Sequence, residues 1–387
     1  MSVLNLTPRK LGSFEEYTIT LSRSLARRGW QSVLVFTDPP PAALLPLYTD
    51  AGALLETKSF DPFDRESAYA LRRLVRRHRP DVLHMHFVNL LSLDVVAAAL
   101  YPGVKVVFSE HASDTPKVRS FLRWRLLQLS KFVASTLVDQ IIAPSNYVNA
   151  RLVREGARAA KVITVHNGVN VARFRGADSS ACVRTKYGIA PQRMIVVSIS
   201  QVIPEKGIGD LIAAAAVVLA QGRDITFIHV GDGRYEAQYR EQVKTLGIDK
   251  HFIFTGLLDL PEISAILRQG DVFTLPCTWG EAFSLAILEA LAAGKPLIVT
   301  RAGGNVEAVE HGRNGLVVPP RDVQALSRAI MLLDDRPDQR TTMGQESAKG
   351  SEYFSVERWV DETIDVYSRL TRSKRRLWDG SSYSAAG

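Results

Sequence analysis

Glu281 and Glu289 stand eight positions apart in the run Gly280-Glu281-Ala282-Phe283-Ser284-Leu285-Ala286-Ile287-Leu288-Glu289-Ala290-Leu291-Ala292-Ala293-Gly294-Lys295-Pro296. The strand-like segment Asp271–Leu275 precedes this run and Pro296–Thr300 follows it. The order predicts strand, loop, helix, strand, with one carboxylate at the helix mouth and the other two turns in. Unpaired N–H groups at a helix N-terminus favour bound anions. A carboxylate at that mouth repels an anion unless it faces sugar hydroxyls. Leu285, Ile287 and Leu288 mark a largely buried helix, which argues against a merely solvated pair of glutamates. The fitting ligand is part phosphate and part polyol, as a nucleotide sugar is.

Further candidates lie at the ends of other strand-like segments. Lys206, in Ile203-Pro204-Glu205-Lys206-Gly207, follows Met194–Ser200 and reads either as a cation for an anionic ligand or as a surface-loop lysine. His111, in Glu110-His111-Ala112-Ser113-Asp114, follows Lys105–Ser109. A histidine there can donate to a phosphate or a hydroxyl; the plainer reading is a satisfied surface histidine. His84 and His86 alternate on one face of Asp81–Phe87, a spacing open to a metal pair, but no third ligand is evident. No Asp-x-Asp occurs. Gly231-Asp232-Gly233 after Thr226–Val230 is a turn signal of low specificity.

The elements that must position these groups alternate between strand-like and helix-like, the pattern of parallel α/β folds. The first half offers strands at Val3–Thr7, Ser32–Thr37, Asp81–Phe87, Lys105–Ser109, Gln140–Ala143 and Lys161–Val165, with helices such as Glu15–Arg28 and Ser67–Arg79 between them. The second half offers Met194–Ser200, Thr226–Val230, Phe252–Thr255, Asp271–Leu275, Pro296–Thr300 and Gly315–Val318. These make two doubly wound units, with a break at the turn signal Asn167-Gly168 and the polar stretch that follows.

The 387 residues supply two or three domains of ordinary size. No apolar run is long enough to cross a membrane, the first residues offer no signal peptide, and two distant cysteines give no disulfide framework. A cytoplasmic protein is expected. Residues 1–170 carry 22 Lys/Arg against 14 Asp/Glu, whereas residues 171–387 carry 26 of each, so the whole net charge of +8 lies in the first half. That favours an anionic partner there, acidic lipid headgroups or a phosphorylated acceptor. No nucleic-acid-binding signature is present. On a helical wheel of residues 116–138, Val118, Phe121, Leu122, Leu126, Leu129, Phe132 and Val133 share one arc, expected to be the core side. Trp124 and Leu127 lie opposite, among Lys117, Arg119, Arg123 and Lys131. That opposite side suits either a membrane interface or a solvated basic surface.

The ordered run from Asp271 to Asp322 resembles the family 4 retaining glycosyltransferases. It comprises Pro276, the spaced pair Glu281 and Glu289, Gly294 with Pro296, Gly303-Gly304 with Glu307, and Asn314-Gly315-Leu316-Val317-Val318-Pro319-Pro320-Arg321-Asp322. Ile142-Ala143-Pro144-Ser145 and Lys161–Asn170 with Phe174 resemble the segment that ends the family's N-terminal domain, with Asn170 in place of the usual acid. The resemblance implies a GT-B fold, two facing Rossmann-like doubly wound domains with a cleft between them. It implies residues 1–170 as the acceptor-binding domain, joined by a crossover helix (Val356–Leu370) within residues 356–387, and residues 171–355 as the donor-binding domain. It implies His111, Lys206 and Glu281 as catalytic residues. For donor binding it implies Gly12, Gln201, Lys206, Gly231, Phe283, Ser284, Leu285 and Glu289. Glu289 would take the ribose, Glu281 the donor sugar, and the amides around Phe283 and Ser284 the phosphate and sugar. Gln201 stands where the family has an Arg that clamps the diphosphate with Lys206, and Ser13 replaces the second glycine after Gly12.

The implied activity is metal-independent retaining transfer of a hexose-type sugar from a UDP- or GDP-sugar to a glycan or lipid-linked hydroxyl acceptor, in cell-envelope or exopolysaccharide assembly. No cofactor beyond the nucleotide-sugar co-substrate is implied, and the setting is cytoplasmic with peripheral contact at an anionic membrane. A GT-B UDP-sugar epimerase or hydrolase, and a non-catalytic nucleotide-sugar-binding protein, are the alternatives; activity on a donor panel separates them.

Overall fold

Short runs of β-branched and aliphatic residues, each followed by a helix, set the architecture. The computed structural model describes residues 1–7, 13–114, 120–176 and 183–379, from residue 373 by backbone only. Among these residues the strands are β1 (Ser2–Leu6), β2 (Gln31–Phe36), β3 (Ala53–Thr57), β4 (Val82–His86), β5 (Lys105–Ser109), β6 (Gln140–Ala143), β7 (Val162–Thr164), β8 (Met194–Ile199), β9 (Ile225–Val230), β10 (Phe252–Phe254), β11 (Val272–Leu275), β12 (Leu297–Thr300) and β13 (Gly315–Val318). Every pairing between them is parallel. The central strands are buried almost throughout, as parallel strands covered by helices on both faces should be.

The chain divides into two compact units, one of Met1–Ala112, Lys117–Asn167 and Val356–Gly387, the other of Ser113–Pro116 and Gly168–Ser355. In the first unit the sheet order is β3-β2-β1-β4-β5-β6-β7. Strand β3 is absent from the sequence reading because Ala-Leu-Leu-Glu-Thr has little strand propensity; its pairing along the whole of β2 supplies what propensity does not. The C-terminal helix Val356–Asp379 outruns the expected Val356–Leu370. It packs on helix Ser13–Arg27, where Trp359 stacks on Tyr17 at 3.9 Å and Asp361 pairs with Arg28 at 3.0 Å.

Helix Phe121–Thr136 corrects the wheel reading. Phe121, Leu122, Leu126, Leu129, Phe132 and Val133 of the expected core arc are exposed, and Trp124, Leu127 and Lys131 form the partly buried side; Lys117, Val118 and Arg119 lie outside the described residues. The cause is the partner on that side. Gly156, at φ +106°, brings its backbone so close to Gln128 that a Cβ would lie 2.3 Å from the Gln128 carbonyl oxygen. Gln128 donates to the Arg154 carbonyl, Lys131 pairs with Glu155, and the Arg158 amide donates to Ser135. Backbone docking through one glycine thus overrides the hydrophobic periodicity. No helix among the described residues is long and apolar enough to cross a membrane.

In the second unit the order is β10-β9-β8-β11-β12-β13. One apolar cluster includes Val197, Phe273, Leu288 and Leu291; the other includes Val196, Phe227, Ile212 and Ile330. Val196 and Val197 serve different clusters because successive side chains point to opposite faces. The strand order reverses between β8 and β11. In open parallel sheets the crevice at the carboxyl ends of two such strands is where ligands bind.

Candidate functional site

Lys206 and Glu281 come from the loops that leave β8 and β11, the two strands flanking this switch point. Gly207 adopts φ +73° and lies against β11's continuation, where a Cβ would fall 1.8 Å from the Pro276 carbonyl oxygen. The Thr278 amide donates to the Glu205 carbonyl at 2.9 Å and ties the two loops together. Glu281 is held on its other side by Gly303, at φ +72°, and by the Gly304 amide, which donates to the Glu281 carbonyl at 2.8 Å. Two of the second half's glycines are therefore fixed by close approach, one on each side of the charged pair.

The side chains meet. Lys206 Nζ lies 2.6 Å from Glu281 Oε2, with 15% and 11% of the two side chains exposed. Trp279 Nε1 donates to the same oxygen at 3.0 Å, and Cys277 Sγ lies 3.9 Å from it. Burial lowers the Lys206 pKa, but the charge of Glu281, with Cys277, the hydrogen bond and Glu205 acting in the same direction, outweighs it; the net shift is upward. Burial, then the Glu281 charge, pushes the Cys277 thiol up to about 12, so it stays a thiol. The anion-repelling carboxylate at the helix mouth is thus neutralised by its own lysine.

Glu281 is not on the helix. Helix Leu285–Ala292 starts four residues later, after an extended Ser284, because the Glu281 backbone is engaged by Trp279 and Gly304. Glu289 falls on the helix's fifth residue and is buried. The Ser284 amide, expected to meet phosphate, donates to Asn305 Oδ1 at 3.0 Å. The Ser284 side chain makes no capping bond, so the first-turn N–H groups are not satisfied by their own N-cap. The Phe283 ring is in the core, 5.5 Å from Phe354; only its backbone can serve a ligand. Leu285 is half-buried at the helix start. Gly231, at φ +129°, ends β9 against the Ser200 carbonyl, 2.1 Å from where a Cβ would be. Gln201 is exposed at the start of the Lys206 loop.

In the first unit His111 follows β5, half-buried, with Phe87 stacked on its ring at 4.1 Å. His84 on β4 has both ring nitrogens occupied, Nδ1 by the Tyr367 hydroxyl at 2.6 Å and Nε2 by Ser109 Oγ at 2.8 Å. Its geometry is that of a core histidine rather than half of a metal pair. Gly12 lies outside the described residues.

Trp279, Cys277 and Asn305 escaped the sequence reading. Asn305 lies between Gly304 and Glu307, yet a buried asparagine that accepts from a distant amide leaves no periodic signal. Trp279 adjoins Gly280-Glu281, and an indole N–H two residues from a buried carboxylate was the available cue.

A doubly wound parallel sheet with a charged pair and a helix mouth without a side-chain cap at its switch point defines an α/β protein, and that crevice is where such folds bind ligands. Residues 14–173 match the family described as Glycosyltransferase Family 4, and residues 182–350 match Glycosyl transferases group 1. The chain is 30% identical over 301 residues to the GDP-mannose-dependent alpha-(1-6)-phosphatidylinositol monomannoside mannosyltransferase of Mycobacterium tuberculosis, covering 75% of each chain. It is 26% identical to a D-inositol 3-phosphate glycosyltransferase of Streptomyces avermitilis, over 94% of this chain and 84% of that one. The crystal structure of Anabaena HepE in complex with UDP and glucose superposes with a TM-score of 0.80 at 22% identity, over 95% of this chain and all (100%) of that one. The chain belongs to the family 4 glycosyltransferases, and its fold is GT-B.

Proposed function

We propose that this glycosyltransferase moves a sugar from a UDP- or GDP-sugar to a hydroxyl acceptor with retention of the α configuration, without a metal ion or cofactor. The observation that carries the reading is the Lys206–Glu281 pair at the switch point, followed on the next helix by buried Glu289. Relatives named for GDP-mannose and structures holding UDP support the donor class. Glu289 accepts from the ribose hydroxyls, Glu281 from the donor sugar, and Lys206 with the helix mouth stabilises the charge that develops on the leaving diphosphate. Gly231 and Gln201 line the donor side, and His111, on the first unit, serves the reacting sugar and acceptor. The leaving phosphate itself takes the acceptor proton, so no protein nucleophile is required.

The acceptor is a glycan or a lipid-linked hydroxyl, and the setting is cell-envelope or exopolysaccharide assembly with peripheral contact at an anionic membrane. The exposed apolar face of helix Phe121–Thr136, flanked by Arg123 and Arg125 with no acid in the helix, supports that contact. The test is a panel of UDP-, GDP- and ADP-sugars, screened first by thermal shift, since a bound ligand raises stability by mass action, and then for product with a broad acceptor set. Transfer with retained configuration is expected. Donor consumption without an acceptor would make the protein an epimerase or hydrolase, and binding without turnover would make it a nucleotide-sugar-binding protein.

A further inference from the structure

His86 is the part of the His-x-His motif that the proposed chemistry leaves unused. It is 1% exposed, on β4. Its Nδ1 lies 3.2 Å from His111 Nε2, while its own Nε2 is buried with no partner among the described residues. We infer that His86 is a positioning residue for His111, donating Nδ1–H to His111 Nε2 and so fixing His111 as the neutral imidazole with its proton on Nδ1. The inference rests on the reading of His111 as an active-site group.

The tautomer follows from where the protons can go. If His86 carried its proton on Nε2, an N–H would be buried unpaired, and an orphaned donor costs more than an orphaned imidazole lone pair. The proton therefore belongs on Nδ1, which points at His111. His111 Nε2 must then accept, and a neutral imidazole that accepts at one nitrogen carries its proton on the other. Protonating His111 at Nε2 would force His86 into the orphaned form, so the pair also resists an imidazolium at His111.

The surroundings hold this arrangement. Phe14 and Tyr17, from helix Ser13–Arg27, set ring edges against His86 at 5.3 Å and 5.9 Å, and His84 packs on it at 3.8 Å. His84 cannot compete for the His86 proton because Tyr367 and Ser109 occupy it. Burial first, then His84 and His111, keeps His86 neutral. Phe87, the next residue, has φ +55° and stacks on His111. Left-handed backbone is strained for a bulky aromatic, and such strain persists where the surroundings require it. Here it lays one ring on His111 while the preceding residue bonds its nitrogen.

The experiment compares wild type, His86→Leu, His86→Asn and His111→Ala. In His86→Leu, kcat should fall roughly tenfold, the scale of one lost orienting hydrogen bond, with the KM for donor within about twofold. With Nε2 released, His111 gains a proton more readily, so the acidic limb of the pH–rate profile should move to higher pH. His86→Asn keeps an N–H near the Nδ1 position and should restore most of the rate and the wild-type limb. Histidine-labelled ¹⁵N spectra, assigned with His111→Ala, should show His111 protonated at Nδ1 in wild type and a mixture in His86→Leu. A folded His86→Leu with wild-type kcat, limb and ¹⁵N pattern overturns the inference, as does a wild-type His111 protonated at Nε2. If His111→Ala is fully active, the reading of His111 itself fails; impaired His111→Ala beside unaffected His86→Leu sinks the positioning role alone.

Discussion

Glu281→Gln separates the two halves of the proposed donor site, because it acts in opposite directions on nucleotide and on sugar. In the wild type the Lys206 ammonium sits 2.6 Å from Glu281 Oε2, and both side chains are nearly buried. Taking one charge from such a pair strands the other, a loss of about 3 kcal/mol from the ligand-free protein. Gln keeps the volume and an oxygen for Trp279 Nε1, so packing is preserved. A nucleoside diphosphate then offers the stranded ammonium a new anion, and no carboxylate competes for it. A hydrogen bond to a charged group is worth about 1.5–3 kcal/mol. The lower end applies, since wild-type Lys206 can share itself between both anions, which gives roughly tenfold tighter UDP or GDP. The sugar loses its charged acceptor, so transfer should fall ten- to a hundredfold, by the same scale of about 1.5–3 kcal/mol. Urea unfolding with and without nucleotide, calorimetry with UDP and GDP, and initial transfer rates read the three quantities. Nucleotide affinity falling in step with turnover would refute the reasoning, because Glu281 would then serve the nucleotide rather than the sugar.

Glu289→Ala should weaken nucleotide binding by about ten- to a hundredfold, the worth of a charged acceptor to the ribose; unchanged affinity in the folded variant contradicts the ribose assignment. Transfer should persist in excess chelator, and complete inhibition reversed by added metal would show an ion in the mechanism. Burial lowers the His229 pKa to about 4 despite its bond to the Ser200 carbonyl, so the unfolded chain takes up the proton first as pH falls. Its contribution is therefore complete above the unfolded value and is lost on acidification, by about 2 kcal/mol between pH 7 and pH 5. His229→Gln should flatten the pH dependence of the urea midpoint by that amount, and an unchanged slope rejects the assignment. Leu126→Glu with Leu129→Glu, both on the exposed face, should abolish flotation with vesicles of anionic lipid at low salt; retained flotation places any membrane contact elsewhere.

The two doubly wound units were legible because a buried parallel strand writes itself as a short apolar run, as in Met194–Val197 or Pro296–Val299. Strand β3 was not, since its register comes from β2 rather than from its own residues. The spacing of Glu281 and Glu289 could be read from the sequence, but the helix start could not. Leu285 begins the helix because Gly304, nineteen to twenty residues beyond the helix mouth, holds Glu281 back in the loop. Helix Phe121–Thr136 shows the converse failure, a sound apolar arc turned outward by a backbone contact at Gly156. In each case what the sequence withheld was the partner of a tertiary backbone contact; a glycine such as Gly156 permits a close approach without naming what approaches.

The same loop geometry gives a physical account of Gln201. Gly207 draws the loop onto the end of β11, so Lys206 is delivered to Glu281 and shielded from water. Gln201, five residues earlier, stays exposed. An arginine there would hold a diphosphate from the solvent side, where an ion pair is worth about 0–1 kcal/mol and is screened by salt. The buried Lys206 acts where the same charge is worth several times more. Under the proposed reading, Gln in place of an outer cation would trim donor affinity and remove the planar fork, while the inner cation, already fixed by its carboxylate, would be left to meet the charge that develops as the diphosphate departs. Under that reading the departure at residue 201 would tune how long the donor stays, and the chemistry would remain with Lys206.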